Sequence, residues 1–480
     1  MELNEIIEQR KAKLESLKEK GIAVYDNTCP QRINISEAIN NFQEGRKVSL
    51  SGRIMAKRSH GKAAFWDLRD YTGRIQLYVK ADIVGRDRFI TLQDVDIADI
   101  INVKGELFKT HTGEPTVKIE EFVILAKALR PLPEKWHGLK DVELRYRQRY
   151  LDLISNEEVK KVFLLRTQII KSIRNFLDDK GFQEVETPMM HYIPGGAAGR
   201  PFKTRHNEYG LDLYLRIAPE LYLKQLLVGG LEMVYEINRS FRNEGVSTRH
   251  NPEFTMLEVY LAYANYEDMM QLARDLIISV AKDALGKTNF VYQGKTVDLA
   301  APWQRRSFAQ IVKEKFDIIP CDEATVMLKK LQDRGYALDK KRLTRSQVNK
   351  IIEDILEEDL SISSTFVTDY FTNLCPLAKT KKENPLISER FELYIAGLEI
   401  GNAYSELNDP LEQRRRFQEE IKELNADEKK SLDEDYILAL EHGMPPAGGL
   451  GIGIDRLVML FSDQPSIRDV ILFPLLRPQE

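Results

Sequence analysis

The sequence predicts an α+β protein in which a small five-stranded β-barrel precedes a larger domain of antiparallel strands flanked by helices. Three features support this prediction. Short strand-like runs separated by glycine-containing turns fill residues 47–129. A second group of strands begins where Arg242 and Glu244 lie two positions apart, a spacing that aims both side chains at one face of a strand. Near the C-terminus, the glycine-lined residues 448–453 lead directly into a helical pattern.

Length and composition narrow the class of protein. A chain of 480 residues exceeds what one ordinary hydrophobic core supports, so we expect two or three domains. No apolar run approaches the roughly 18–20 residues that span a bilayer, and the charged N-terminus does not resemble a signal peptide. The isolated cysteines, Cys29, Cys321 and Cys375, argue against disulfide bonds or a zinc site. We therefore expect a cytoplasmic protein with no membrane contact. Because the net charge is −4, any nucleic-acid binding must rest on local basic patches.

Residues 1–46 are predicted to be an N-terminal helical extension. Within residues 1–20, apolar side chains recur at helical spacing among many lysines and glutamates: Leu3, Ile6, Ile7, Leu14 and Leu17. Gly21 ends this pattern. The pattern favours an amphipathic helix packed on its neighbour, and the alternative is an arm that binds nucleic acid.

Residues 47–130 are predicted to form an OB-fold barrel. Five candidate strands are separated by turns at 71–73 and 112–114, and they span residues 48–54, 64–68, 74–79, 100–105 and 116–125. Five strands in about 80 residues, with glycines at the bends, are typical of this barrel. A basic stretch without acidic residues comprises Arg53, Lys57, Arg58, His60 and Lys62. Phe65 lies beside it and could stack on a base of single-stranded nucleic acid, although the pattern also allows a core position.

Residues 131–158 are predicted to be a charged connector, and residues 159–480 a second, larger domain. Its first helix, over residues 159–180, ends at Gly181 and precedes a strand that stops at Pro188. Residues 264–385 show mostly helical periodicity and are predicted to be a helical insertion. From residue 391 onward the pattern is strand-rich, with helices predicted over 409–424 and 434–442.

Two charged segments carry the functional signal. The first spans residues 241–258 and contains Arg242 and Glu244, and the second spans residues 448–456 and ends in Arg456. Alone, an Arg and a Glu two positions apart could form a surface salt bridge, and the glycines could form a tight turn. Together and in this order, the two segments resemble motifs 2 and 3 of the class II aminoacyl-tRNA synthetases. The helix over 159–180 with the strand to Pro188 is similar to motif 1 of that family, which implies a homodimer.

The resemblance implies a chemistry that suits these residue types. Activation of an amino acid by ATP joins two anions, so the site must neutralise charge and hold both reactants rather than supply a strong base. The implied catalytic residues are Arg242, which would bridge the substrate carboxylate and the α-phosphate, Glu244, which would bind the adenine amino group, and Arg456, which would cover the other face of the adenine and meet the γ-phosphate. The other implied ATP-binding residues are His250, Phe254, Glu399, Gly451 and Gly453. Glu392 and Glu399 would bind magnesium, with about three Mg²⁺ ions per subunit at the ATP phosphates.

A group of acidic residues indicates which amino acid is activated. Glu220, Glu258 and Glu406 favour a cationic side chain, because a desolvated ammonium group is tolerated only when it is paired. The strings from the connector to residue 474 resemble those of the bacterial-type lysyl-tRNA synthetases of subclass IIb. The lysine-binding residues implied by this resemblance are Gly196, Glu220, Arg242, Glu258, Tyr260, Asn402, Tyr404 and Glu406.

The same resemblance implies the reaction and the partners. L-lysine and ATP would form a lysyl-adenylate, and lysine would then pass to the 3′ end of tRNA(Lys). In the barrel, the implied anticodon-binding residues are Arg58, Phe65, Gln76 and Glu114. Two departures from the family pattern put the rigidity of site loops in question. Ala447 and Gly448 stand where the family has Thr and Ala, and Gly199 stands where Ala is usual.

Two alternative functions are open. A ligase that lysylates a protein would be expected to lack the barrel, which is present here. A non-catalytic RNA-binding relative would be expected to lose at least one of five charged residues, all of which remain: Arg242, Glu244, Glu392, Glu399 and Arg456. Synthesis of diadenosine tetraphosphate from the adenylate is a side activity that the family admits.

Overall fold

A computed structural model of the protein describes residues 2–25, 27, 30–60, 63–133, 139, 141–197, 199–336, 344–359, 364–423 and 432–478. The chain divides into two compact units, Met1–Lys140 and Asp141–Glu480. Within the described residues, no helix combines the length and the apolar character needed to cross a membrane. Cys321 and Cys375 are both free, and Cys29 lies outside the described residues.

The first unit is built around a β-barrel. Its elements, in chain order, are α1 (Leu3–Glu19), α2 (Ile35–Asn40), β1 (Lys47–His60), β2 (Ala63–Arg69), β3 (Arg74–Lys80), α3 (Ala81–Val84), α4 (Arg86–Gln93), β4 (Ile100–Lys109) and β5 (Pro115–Ala126). The five strands close into a barrel in the order β1-β2-β3-β5-β4. The predicted five-stranded barrel is therefore confirmed. β1 and β4 extend six and four residues beyond their predicted ends, and the other strands begin and end within one residue of their predicted bounds.

Alternation along the strands separates the inside of the barrel from its outside. On β2, Trp66 and Leu68 lie in the barrel core, whereas Phe65 points outward and is half-buried. Phe65 is therefore not a core residue. At Gly105, β4 passes so close to β5 that a Cβ atom would lie 2.0 Å from the carbonyl oxygen of Lys118, and the strand pairing shifts there.

The N-terminal helix packs on the barrel. Leu17 of α1 is fully buried in the barrel core, and the Arg10 guanidinium donates to the carbonyl oxygens of Ala128 (2.7 Å) and Arg130 (3.0 Å). Lys13 forms a 2.6 Å ion pair with Asp96. These contacts agree with the packed amphipathic helix that the sequence favours, and they argue against a free arm.

The second unit contains a large sheet with helices. Its first elements are α5 (Val142–Arg147), α6 (Arg149–Ser155), α7 (Glu157–Asp179), β6 (Gln183–Glu184), β7 (Met190–His191), β8 (Lys203–His206), β9 (Leu211–Leu215), α8 (Glu220–Val228), β10 (Met233–Phe241), β11 (Glu253–Ala262) and α9 (Tyr266–Leu285). The middle part comprises β12 (Asn289–Tyr292), β13 (Lys295–Asp298), β14 (Gln304–Ser307), α10 (Phe308–Phe316), α11 (Ala324–Gln332), α12 (Arg345–Asp359), β15 (Thr365–Thr368), β16 (Thr380–Lys381) and β17 (Asn384–Ser388). The last elements are β18 (Arg390–Ile395), β19 (Leu398–Ser405), α13 (Pro410–Glu423), α14 (Glu434–Glu441), β20 (Ala447–Gly453), α15 (Ile454–Phe461) and α16 (Ile467–Val470).

The central sheet has eight strands in the order β14-β15-β18-β19-β20-β11-β10-β6. Its pairs are antiparallel except at the two edges, where β14 pairs parallel with β15 and β6 pairs parallel with β10. The main hydrophobic core lies between one face of this sheet and the helices α7, α9 and α15. The predicted antiparallel sheet flanked by helices is confirmed. Because the hydrophobic core covers one face of the sheet, the opposite face can carry polar groups.

The region predicted to be a helical insertion, residues 264–385, differs from that prediction. It contains helices α9 to α12, but β14 and β15 join the central sheet and β12 and β13 form a separate hairpin. These strands have four residues each, which is too short for period-two alternation to stand out beside long helical runs. Residues 337–343 and 360–363, which the insertion also includes, lie outside the described residues.

Candidate active site

One face of the central sheet brings the polar residues of distant segments into a row. Cross-strand pairing aligns Glu392 with Asn402, Asn402 with Gly451, Gly451 with Glu258, and Glu258 with Glu236. Paired residues on neighbouring strands point to the same face, so these five positions cross β18, β19, β20, β11 and β10 in one line. The row lies opposite the helix-covered face. The sequence order of the motifs does not reveal this adjacency.

A second row lies two residues along the strands. It pairs Tyr404 with Gly449 and Gly449 with Tyr260. A Cβ atom at Gly449 would lie 1.9 Å from Oε1 of Glu406 and 2.7 Å from Cε1 of Tyr260. Only glycine lets β20 pass this close to the acidic side chains. The resemblance to the family implies a role for Gly451 and Gly453 but not for Gly449. The signal for Gly449 in the sequence is its place in the glycine-rich run.

The acidic residues that the sequence predicts converge beside these rows. The Tyr404 hydroxyl donates to Oε1 of Glu220 (2.6 Å), and the Tyr260 hydroxyl donates to Oε2 of Glu258 (3.1 Å). Glu406 follows β19 directly and is completely buried. The structure therefore gathers Glu220, Glu258, Tyr260, Tyr404 and Glu406 in one cluster of mostly buried side chains, which we call the acidic pocket.

A lysine that the sequence analysis did not single out lies in the acidic pocket. Lys224 is fully buried, and its Nζ is 2.6 Å from Oε1 of Glu220, four residues earlier on α8. Its Nζ also contacts Oε2 of Glu406 and lies 5.4 Å from the centre of the Tyr404 ring. Burial alone would lower the pKa of Lys224, but Glu220 and Glu406 outweigh burial and raise it. The signal in the sequence was a Glu and a Lys at helical i,i+4 spacing among apolar residues.

Burial of several carboxyl groups changes their protonation. Burial raises the pKa of Glu258 to about 8, and the nearby Glu220 carboxylate adds to this shift. Burial also raises the pKa of Glu406 well above its usual range, although the Lys224 ammonium opposes the increase. At neutral pH, Glu258 is therefore mostly protonated when no cation is bound.

The predicted partner of Glu220 lies against it. Gly196 has a φ of +86°, a conformation that side chains rarely adopt, and a Cβ atom there would lie 3.0 Å from Cβ of Glu220. The backbone of Gly196 thus lies directly against the first residue of α8, Glu220.

Arg242 lies just beyond the strand in which the sequence predicts it. β10 ends at Phe241, so Arg242 and Glu244 belong to the loop that leads to β11, although the Arg242 amide still donates to the Pro252 carbonyl oxygen (2.9 Å). Polar loop residues and Gly245 end the ladder there. The guanidinium lies 5.2 Å from the centre of the Phe254 ring, and its Nε is buried with no hydrogen-bond partner among the described residues. Burial lowers the pKa of Arg242, whereas Glu244 opposes the decrease.

The second predicted arginine is placed by residues of two segments. Arg456 Nη1 donates to the carbonyl oxygen (2.9 Å) and to Oε2 (2.8 Å) of Glu399, and its Nη2 lies 3.4 Å from Nε2 of His250. Asp455, which the sequence analysis did not assign, accepts from the Thr255 amide (2.7 Å). The structure thus brings Arg456, Glu399 and His250 together, and Asp455 fixes the start of α15 against β11.

Glu392, one of the two predicted magnesium ligands, already has three donors. Its Oε2 accepts from the hydroxyls of Tyr370 (2.8 Å) and Tyr394 (2.5 Å), and its Oε1 accepts from Arg390. A carboxylate offers about four lone-pair positions, so one remains for a metal ion. In the part of the chain that the structure describes, no group of three or more His, Cys, Asp or Glu side chains could hold a metal. A magnesium ion bound by Glu392 and Glu399 would take its other oxygen ligands from phosphate groups and water.

The predicted anticodon-binding residues share the outer face of the barrel. Gln76 Nε2 donates to Oε2 of Glu114 (3.0 Å), and Arg58 forms a 3.0 Å ion pair with Asp67. The Phe65 ring lies 5.1 Å from the ring of Tyr78. Phe65, Gln76, Glu114 and Arg58 are thus neighbours on one surface.

The basic stretch beside Phe65 does not act as one surface. Lys57 packs over the core residue Trp66 (4.5 Å) and donates to the Val95 carbonyl oxygen, and burial lowers its pKa to about 8. Arg53 donates to the Ala98 carbonyl oxygen (2.8 Å). The side chains of His60 and Lys62 lie outside the described residues. Among the described side chains of this stretch, Arg58 pairs with Phe65 on the outer face, whereas alternation along β1 turns Lys57 inward beside Trp66.

Comparison with known proteins identifies the family of each part of the chain. Residues 141–477 match the family described as tRNA synthetases class II (D, K and N), and residues 48–125 match the OB-fold nucleic acid binding domain. The lysine–tRNA ligase of Pelotomaculum thermopropionicum is 54% identical, with 100% of this chain and 96% of that protein aligned. Those of Carboxydothermus hydrogenoformans and Moorella thermoacetica are 53% and 52% identical, and at least 99% of each chain is aligned. The chain therefore belongs to the class II tRNA synthetases and, among them, to the family of the lysine–tRNA ligases.

Proposed function

We propose that the protein activates L-lysine with ATP and transfers it to the 3′ end of tRNA(Lys). The observation that carries this proposal is the acidic pocket, in which the carboxyl groups of Glu220, Glu258 and Glu406 lie together and one lysine, Lys224, contacts two of them. Such a pocket binds a cationic amino acid because a buried carboxylate is stabilised by pairing with an ammonium group. A pocket for aspartate or asparagine would require the opposite charge or none.

The first step is attack of the lysine carboxylate on the α-phosphate. Glu258, Tyr260 and Glu406 bind the ε-ammonium group, and Glu220 with the backbone of Gly196 binds the α-ammonium group. The lysine carboxylate is held by Asn402 and by Arg242, whose buried Nε has no hydrogen-bond partner among the described residues. This places the nucleophile at the point where a guanidinium can also neutralise the α-phosphate.

The ATP subsite lies beside Arg242. Phe254 stacks on the adenine, Glu244 accepts from the adenine amino group, and the glycines at 451 and 453 let the nucleotide approach β20. Arg456 and His250 lie at the terminal phosphates, where their charge stabilises the departing pyrophosphate. Magnesium, bound by Glu399 and by the remaining lone pair of Glu392, would supply positive charge to the phosphates.

The second step needs only orientation, because the adenylate is already an activated acyl group. The 3′-terminal hydroxyl attacks the lysyl carbonyl, and AMP leaves. Recognition of tRNA(Lys) uses the outer face of the barrel, where Phe65 stacks on an anticodon base and Gln76, Glu114 and Arg58 contact its edges and backbone.

We further propose that the enzyme is a cytoplasmic homodimer assembled through α7 and the segment that follows it. Large apolar side chains are exposed in this region, with relative exposures of 60% for Leu164, 53% for Met190 and 66% for Tyr192. Clustered exposed apolar side chains are typical of surfaces that pack against another protein. A second copy of the chain would cover them.

The test is ATP–pyrophosphate exchange with Mg²⁺ and without tRNA, measured separately for each of the twenty amino acids. Exchange with lysine alone supports both the chemistry and the acidic pocket. Exchange with aspartate or asparagine would keep the activation chemistry and refute the pocket. No exchange with any amino acid would refute the catalytic proposal and favour a non-catalytic role.

A further inference from the structure

Lys224 is a buried charge for which the proposed reaction has no direct use. It extends from α8 into the acidic pocket, and none of its side chain is exposed. It contacts one oxygen of Glu220 and one oxygen of Glu406, so it joins the two carboxylates that are proposed to bind the two ends of the substrate. A lysine in this position is costly to bury and must be compensated by what surrounds it.

The oxygens that Lys224 does not contact are left for a ligand. Both oxygens of Glu406 are buried with no hydrogen-bond partner among the described residues, and Oε2 is the one that contacts the Lys224 ammonium group, which leaves Oε1 without a cation. The Tyr436 hydroxyl on α14 is likewise buried with no such partner. β20 passes over this oxygen at Gly449, where a side chain would collide with it. A buried acceptor with no donor is the arrangement expected where a bound ammonium group completes the pairing.

The charges of the acidic pocket balance only when Lys224 is counted. Glu220, Glu258 and Glu406 offer three carboxylates, and the substrate brings two ammonium groups, while its own carboxylate pairs with Arg242. We propose that Lys224 is a positioning residue that serves as the third ammonium group, bridging Glu220 and Glu406 and setting the acidic pocket to accept a ligand with two positive charges. This inference rests on the proposed binding of lysine in the acidic pocket.

Removing the charge of Lys224 should act through the protonation of its neighbours. Charged or titratable groups from several elements face the carboxyl groups of the acidic pocket. They are Lys224 on α8, Glu236 on β10, Arg242 in the loop after β10, Tyr260 on β11, Tyr404 on β19 and Tyr436 on α14. Lys224 opposes the rise of the pKa of Glu406, so its loss raises that pKa further. A carboxyl group that must ionise before it binds an ammonium group then binds more weakly at every pH below its pKa.

The experiment is the pH dependence of the KM for lysine in ATP–pyrophosphate exchange, for the wild type and Lys224→Met. Loss of an opposing charge shifts a carboxyl pKa by about 1–3 units, so we expect the KM at pH 7 to rise at least tenfold and the difference to narrow towards pH 9. A purely structural defect would raise the KM by the same factor at every pH. An equal factor, or no change, would overturn the inference.

A matched control is Lys127→Met in the barrel. Lys127 is also fully buried between two carboxylates, with its Nζ 2.5 Å from Asp96 and 2.8 Å from Asp99. We expect it to leave the lysine KM and its pH dependence unchanged, because exchange does not involve the barrel. A pH-dependent rise in this variant would show that loss of any buried lysine produces the effect, and would overturn the inference.

A second comparison remains informative even if the single variant Lys224→Met does not fold. With lysine bound, Glu406→Gln leaves two carboxylates facing three ammonium groups, namely the two of the substrate and that of Lys224. Adding Lys224→Met removes one ammonium group, so two carboxylates face two ammonium groups. Both replacement side chains are neutral and similar in size to the originals. We expect the double variant to have a lower KM for lysine than Glu406→Gln alone. An equal or higher KM would refute the role of Lys224. Wild-type exchange with lysine, measured in the same series, separates this failure from failure of the proposed function.

Discussion

Substituting Gly449 by alanine tests how the central strand forms the floor of the acidic pocket. The added Cβ would lie 1.9 Å from Oε1 of Glu406, whereas an ordinary contact begins at about 3.4 Å, so the carboxylate must move by about 1.5 Å. The backbone cannot move instead, because β20 is paired on both sides, with β11 and with β19. Glu406 is fully buried and held by Lys224, which leaves it little freedom.

We expect Gly449→Ala to lower the stability of the fold and to weaken the binding of lysine strongly. Overpacking of a buried site costs about 1–3 kcal/mol of the free energy of unfolding. Displacing a positioned group by about 1 Å costs on the order of 100-fold in the reaction it supports. We therefore expect Gly449→Ala to raise the KM for lysine by on the order of 100-fold, with the KM for ATP nearly unchanged.

Gly451→Ala is the matched control on the same strand and face. A Cβ atom there would meet only the flexible end of Met256, at 3.3 Å, with Asn402 Oδ1 at 3.8 Å. Because Gly451 is assigned to the nucleotide, this variant should raise the KM for ATP and leave the KM for lysine within a few-fold. Pyrophosphate exchange with each substrate varied in turn, together with thermal unfolding, measures both effects. A normal KM for lysine in Gly449→Ala would refute the proposed geometry of the pocket.

Three further outcomes are expected. Arg242→Ala should abolish lysine-dependent pyrophosphate exchange without changing the molecular mass in solution, and normal exchange would remove this arginine from the mechanism. Phe65→Ala should leave exchange intact and weaken tRNA charging by about 1–3 kcal/mol, the value of one stacked base, whereas equal loss in both assays would indicate a structural role. Glu258, with a pKa of about 8, is mainly neutral at pH 6, so the KM for lysine should fall as the pH rises to 8 and the carboxylate forms. Glu258→Gln should raise that KM and flatten this dependence, and an unaltered slope would assign the titration to another group.

Local patterns were sufficient for much of this fold. Period-two alternation located all five barrel strands, and helical spacing with a terminal glycine located α1 and α7. The conformation of these strands and helices follows from the preferences of their own residues, so a short stretch of sequence is enough to predict them. Most of the candidate site was also accessible, because its residues lie in strings that resemble a known family.

Other features depend on contacts between distant segments, and the sequence could not reveal them. Lys57 lies in a basic stretch of the type that binds nucleic acid. It nevertheless packs over Trp66, because alternation along β1 turns its side chain inward. Lys224 has the pattern of an exposed helix lysine, but it becomes buried because Glu406, 182 positions later, reaches the same point. Gly449 looks like any glycine of a turn until β20 is inserted between β11 and β19.

The spacing of Glu399 and Asn402 shows most clearly how tertiary structure alters a local rule. Residues three apart in a regular strand point to opposite faces, so strict alternation would bury Glu399 among the helices. The pairing with β18 shifts here: Tyr394 pairs with Glu399, but Leu393 pairs with Gly401, which leaves Ile400 as an extra residue. Ala396 and Gly397, both at positive φ, form the two-residue turn between β18 and β19, so the bulge lies beyond this turn. Because of the bulge, Ile400 enters the hydrophobic core while Glu399 and Asn402 share the face that carries Arg456 and the acidic pocket. A single extra residue in one strand thus determines whether the nucleotide and lysine subsites lie on the same side of the sheet.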